Sequence, residues 1–113
     1  MNSEQISMLI GKNVEMVCFA RFAVYLHLEG GILLTVESEF EHTHDETGAG
    51  LHTTFPAEAS DLMTVLESSV SSASADASGG LHLSFSNGDT VSVSKEPGFE
   101  SYRIRIAGEE HFA

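Results

Sequence analysis

Between Glu37 and Glu46 the chain reads Glu-Ser-Glu-Phe-Glu-His-Thr-His-Asp-Glu, five carboxylates and two imidazoles in ten residues with no Lys or Arg. Two kinds of chemistry suit such a run. The first is recognition of a cation. If an extended strand continues through Glu41, then Glu37, Glu39 and Glu41 share one face about 7 Å apart, while Ile32, Leu34, Val36 and Phe40 point to a core. Like charges in a row repel one another, and a basic partner relieves that repulsion. Candidate partner contacts are therefore Glu37, Glu39, Glu41, His42, His44, Asp45 and Glu46. The plainer alternative is a solvated face whose repulsion is screened by salt.

The second kind is metal ligation by His42, His44 and His52, since alternate residues of an extended segment point the same way. A Cys pair and a His-Glu-x-x-His helix are both missing, so ordinary loop histidines are the favoured reading and no cofactor is expected. Catalytic signatures are equally sparse. The chain has no Gly-x-Ser-x-Gly elbow, Cys18 falls in a strand as a buried structural thiol, and Gly30, Gly31, Gly79, Gly80 and Gly88 belong to turns. The expectation is a non-enzyme with no catalytic residues. A small metal-dependent or hydrolytic enzyme, or a regulatory or structural binding subunit, is the alternative. Tyr25, His27 and His82 fall on the second faces of their strands, where they either cover a sheet or join a binding surface.

The elements that must hold these groups are mostly strands. A short helix is expected over about 3–10, with Asn2 or Ser3 as its cap and Gly11 as its end. Strands follow at Val14 to Phe19 and Val24 to Leu28. Gly30-Gly31 then makes a turn into Ile32, Leu34 and Val36. Glu41 to Gly50 reads as a loop, Leu51 to Phe55 as a short strand, and Pro56 as the start of a second helix over about 57–67. Val70 to Ser74 reads as a weak strand. A hairpin through Asn87-Gly88 joins Leu81, Leu83 and Phe85 to Val91 and Val93, and Tyr102, Ile104 and Ile106 form a last strand with Arg103 and Arg105 on its opposite face. The fold class expected is α+β, mainly antiparallel β, with about 7–9 strands in two similar units and two short helices.

Composition sets the outer bounds. The chain of 113 residues suits one domain over 1–113, and its 42% hydrophobic content with seven Phe can fill one core. One Cys cannot form an internal disulfide, and Ile6 to Ile10 is too short for a signal-peptide core, so a cytoplasmic protein is expected. No apolar run approaches the roughly 20 residues of a spanning helix, hence no membrane. The formal net charge of −12, from 17 acids and 5 bases, argues against direct nucleic-acid binding, which needs Lys and Arg to displace counterions. It favours a basic protein partner.

The halves also repeat, over about 9–41 and 65–101. Leu9-Ile10-Gly11-Lys12-Asn13-Val14 matches Val65-Leu66-Glu67-Ser68-Ser69-Val70. Leu26, Leu28, Gly31, Leu34 and Val36 match Leu83, Phe85, Gly88, Val91 and Val93. This Leu-x-Gly-x-x-Val and hairpin pattern, with Val24 to Gly31, Val36-Glu37, Phe85 to Asp89 and Phe99 to Tyr102, resembles a family of small, mostly uncharacterised bacterial proteins. Glu67, in place of a second Gly, and the Ser/Ala run from Ser68 to Ser78 depart from it. In type the chain is similar to immunity proteins of contact-dependent growth inhibition systems. That likeness implies an inhibitor that covers the active site or substrate groove of a cognate toxin, commonly a basic nuclease.

Overall fold

The computed structural model describes residues 3–43, 50–53, 62–94, 101–106 and 109–112. Among them are one α-helix, one 3-10 helix and ten strands. The fold is mainly antiparallel β, as the alternating apolar residues require. Helix α1 is Ser3–Ser7, shorter than the 3–10 expected. Past Ser7 the backbone tightens, with Leu9 and Ile10 donating to Ile6 and Ser7, and it leaves the turn at Gly11, whose φ of 84° is left-handed. Strands β1 (Val14–Ala20), β2 (Ala23–Leu28) and β3 (Ile32–Val36) form a meander. Gly30 and Gly31, at φ 82° and 76°, supply the positive angles of the second turn.

After Val36 the chain leaves this sheet. The expected continuous third strand stops there, because Glu37 donates its N–H to Ser101 and Ser38 donates its hydroxyl to the Ser94 carbonyl. Strand β4 (Phe40–Thr43) then enters a second sheet and pairs with β5 (Gly50–Thr53). The second expected helix is also corrected. Of 57–67, residues 57–61 lie outside the described chain, Leu62–Val65 is one 3-10 turn, and Glu67 has a φ of 66° that no helix continues. Strands β6 (Val70–Ala75), β7 (Leu81–Phe85) and β8 (Thr90–Val93) form the second meander. Strands β9 (Tyr102–Ile106) and β10 (Glu109–Phe112) complete the set, which exceeds the seven to nine expected because β4 overlaps the loop expected from Glu41 and β10 lies past the strand read as the last.

One sheet has the order β1-β2-β3-β9-β10 and the other β5-β4-β8-β7-β6. Each meander thus receives two strands from the opposite half of the chain. Where the halves meet, backbone contacts come in reciprocal pairs. Gly11 donates to Val70 and Glu67 to Val14; Val14 donates to Ser68 and Val70 to Lys12. Asn13 and Ser69 face one another in an isolated antiparallel bridge between these pairs.

The inward faces of both sheets close on one core. Val24, Leu26, Leu34, Val36, Tyr102 and Ile104 come from the first sheet, and Phe40, Leu81, Leu83, Phe85, Val91 and Val93 from the second. Ile6 from α1, Leu9 from the turn after it, and Leu62 and Val65 from the 3-10 turn fill in. Each such side chain stabilises the fold by roughly 1.5–3 kcal/mol relative to exposure. Tyr102 ties the layers further, donating its hydroxyl to the Gly79 carbonyl at 2.9 Å. Burial, and then the negative charge of Asp76, raise its pKa above the usual phenol value.

Candidate interaction surface

The crossing from β3 to β4 decides where the acidic residues stand. Glu37, Glu39 and Glu41 do not form a row on one strand, since Glu37 and Glu39 flank the bend and only Glu41 lies in a strand. Glu37 is bridged by Arg103 Nε at 2.7 Å, each about a third exposed. Glu39 and Glu41 are exposed. His44, Asp45 and Glu46 lie outside the described residues, and His52 is placed only by the register of β5, opposite Glu41.

His42 requires a correction. It is not on the surface: alternation along β4 turns it inward, and it is fully buried. Its Nε2 lies 2.8 Å from Asp89 Oδ2, and the Thr64 hydroxyl donates to the same oxygen at 2.8 Å. An ionised Asp89 only accepts, which fixes a hydrogen on Nε2. Asp89 is held in turn by a backbone bond from its own N–H to Asn87 Oδ1, and Asn87 Nδ2 donates to the Thr64 carbonyl. The network joins β4, the β7–β8 turn and the 3-10 turn, so His42 is a structural residue and its Nε2 is committed to Asp89. No group of three His, Cys, Asp or Glu among the described residues is placed to hold a metal. Cys18, expected to be buried, is half-buried on the outward side of β1.

The outward face of the second sheet is a run of small polar groups. Ser74, His82, Ser92 and Glu41 follow one another directly across β6, β7, β8 and β4, and Ser72, Ser84, Thr90 and Thr43 form the parallel row. His82 is the centre of a chain of hydrogen bonds, with Nε2 3.0 Å from Asp76 Oδ2 and Nδ1 3.1 Å from Ser92 Oγ. The Asp76 carboxyl is held below its usual range first by the His82 bond, then by the N–H groups of Gly80 and Ser78. An Asp-His-Ser order invites comparison with a nucleophilic relay. Here it lies across an open sheet, and Glu41 in register with Ser92 puts negative charge where an oxyanion would need donors. Asp76 and its partners escape a sequence reading because 76–80 looks like a loose connection; the Asp-x-Ser-x-Gly spacing of an Asx turn is the one signal present.

Basic residues are segregated between the layers. Strands β4 to β8 contain no Lys or Arg, whereas Arg103 and Arg105 belong to β9 and Lys12 and Arg21 flank β1. A family model described as a family of unknown function, DUF6188, matches residues 6–113. The chain belongs to this family. The DUF6188 match covers both meanders and the strands they exchange, so the family's unit is the whole two-sheet arrangement. No curated protein and no solved structure matches.

Proposed function

We propose that the protein works by binding a basic protein partner, as an immunity protein that neutralises a cognate bacterial toxin by covering its active site or substrate groove. A nuclease is the toxin class this favours. The observation that carries the reading is the Lys- and Arg-free second sheet, with Glu39 exposed at the bend that enters it, Glu41 exposed on β4 and Asp76 exposed just past β6. A nuclease groove is built to attract phosphates, and carboxylates compete for the same cations, giving fast capture. Glu37 is a weaker contact candidate because Arg103 already occupies it. His42 is excluded by burial, and Asp45, Glu46 and His44 remain contact candidates on sequence grounds.

The chain used as bait should retain a basic protein, in the first instance the product of the adjacent reading frame. Glu39→Lys with Glu41→Lys should slow association at least about tenfold, since like charges replace two attractive contacts. The thermal midpoint should barely move, because both side chains are exposed. Retention of only acidic or neutral companions, or an association rate indifferent to salt and to these reversals, rules the reading out.

One observation favours a second reading, a small hydrolytic enzyme: the Asp76, His82 and Ser92 chain. Ester turnover by the purified protein that disappears in Ser92→Ala would replace the binding proposal.

A further inference from the structure

Among the described residues, the large exposed apolar side chains Met8, Ile10, Met16, Phe19 and Phe22 all fall in one early stretch, residues 8–22. The two meanders provide an internal control for their purpose. Strands β1 and β6 occupy the same place, each at the edge of its sheet, each with a bulge at the same point, Val14/Met16 in one and Val70/Ser72 in the other. Register makes Met16 the counterpart of Ser72, Val17 of Ala73, Cys18 of Ser74 and Phe19 of Ala75. The same position in the same fold is thus filled by small residues, Ser and Ala, in one half and by larger, more apolar ones in the other. Folding does not demand Met16 and Phe19, which are 50% and 39% exposed.

The edge itself is open to pairing. Val14 is bonded to Glu67 and Ser68, but beyond it β1 has no described neighbour on its outer side. At seven residues β1 is the longest strand, whereas the edge strands β5 and β10 have four each. Long apolar edges are the ones proteins ordinarily blunt with Lys, Pro or charge. Instead β1 ends at a two-residue turn, Arg21-Phe22, where the guanidinium lies over the Phe22 ring at 5.1 Å and Phe22 is 58% exposed.

We propose that β1 is a self-association edge: a second copy of this chain pairs antiparallel along it, about a twofold axis at Cys18, joining two five-stranded sheets into one. Three features favour a copy over another partner. Residues 8–22 carry one acid, Glu15, against two bases, Lys12 and Arg21, so along this edge chains of net charge −12 escape their mutual repulsion. A basic toxin has no anionic surface to meet there. The charges are also self-complementary, since pairing about Cys18 brings Glu15 of each copy to Arg21 of the other and Val17 to Phe19. An isologous contact of this kind closes at two copies and leaves Glu39 and Glu41 of the second sheet's rim exposed.

Light scattering on the intact protein should report a dimer, and a short bis-maleimide should link the two copies through their single cysteine, Cys18. Met16→Ser with Phe19→Ala installs the residues that β6 already carries, and should yield a folded monomer. Glu15→Arg or Arg21→Glu alone should weaken the dimer roughly tenfold or more, each reversal making two like-charge contacts, and the double reversal should restore it. A monomer at the highest soluble concentration overturns the proposal. So does a dimer that survives Met16→Ser with Phe19→Ala, or that Cys18 does not crosslink, or a foreign protein held on β1 of a chain monomeric alone. The Glu39→Lys, Glu41→Lys variant should remain dimeric, which separates this outcome from loss of partner binding.

Discussion

At the scale of single residues, the pair Gly11 and Glu67 isolates one physical effect. Both leave a short helical turn in the left-handed region, at φ 84° and 66°, and both donate to the first residue of the opposite edge strand. Glycine adopts this conformation freely, whereas a side chain costs roughly 1–2 kcal/mol, partly offset by the greater chain freedom of unfolded glycine. Glu67→Gly should therefore raise stability by about 0.5–1 kcal/mol. Gly11→Ala should lower it by about 1 kcal/mol or more for conformational reasons alone, because a Cβ there meets nothing within 4 Å. Urea unfolding of both variants measures the two signs. That Glu67 departs from the repeat is plain from the sequence; that the departure falls on a positive φ depends on a turn whose periodicity reads as the end of a longer helix.

Elements are joined by two polar networks of opposite exposure. The buried one couples β4, the 3-10 turn and the β7–β8 turn through His42, Asp89 and Thr64. His42→Leu takes a partner from a buried carboxylate and should cost about 1.5–3 kcal/mol, with Thr64→Val showing non-additive coupling to it in a double-mutant cycle. The exposed network, Asp76 with His82 and the Gly80 and Ser78 N–H groups, shows itself through pH. The folded pKa of Asp76 lies below the ordinary carboxylate value of 3.8, so its contribution is present above that value and lost as pH falls through the folded pKa. Asp76→Ala should flatten the acid limb of the stability profile below about pH 3.8 and leave its neutral shape otherwise unchanged, as thermal melts across pH will show. The alternation of Leu81, His82 and Leu83 announces an outward His82, but its carboxylate partner sits six residues back in a Ser/Ala-rich stretch with no periodic signal. His42 misleads for the converse reason: it reads as a loop residue, although the parity of Ile32, Leu34, Val36 and Phe40 carries through the bend at Glu37 to Glu39 and turns it inward.

For the molecule as a whole, the exchange of strands is the governing feature. Strand β4 pairs with β8, and β9 pairs with β3, so neither half owns a complete sheet. Severing the chain between residues 53 and 62 should therefore give two fragments that are each unfolded by far-UV circular dichroism and that regain native β-structure on mixing. A fragment that folds alone would show that the exchanged strands are dispensable. Such distant pairings also place the protein among slow, high-contact-order folders, in the range of milliseconds to seconds. No helix among the described residues is long and apolar enough to cross a membrane.

Local alternation was enough to specify strands at Val14 to Phe19, Val24 to Leu28, Ile32 to Val36, Leu81 to Phe85 and Tyr102 to Ile106, because side-chain period and turn chemistry are properties of neighbouring residues. Net charge likewise belongs to the sequence, and with it the proposal of a basic companion. The sheet each strand joins is another matter, since β4 and β9 satisfy their backbone groups against strands about 50 and 70 residues away. That choice depends on which distant edge is open. The partnering of His42 with Asp89, the bridging of Glu37 by Arg103 and the isolation of β1 as an apolar edge all follow from it, and none has a counterpart in local spacing.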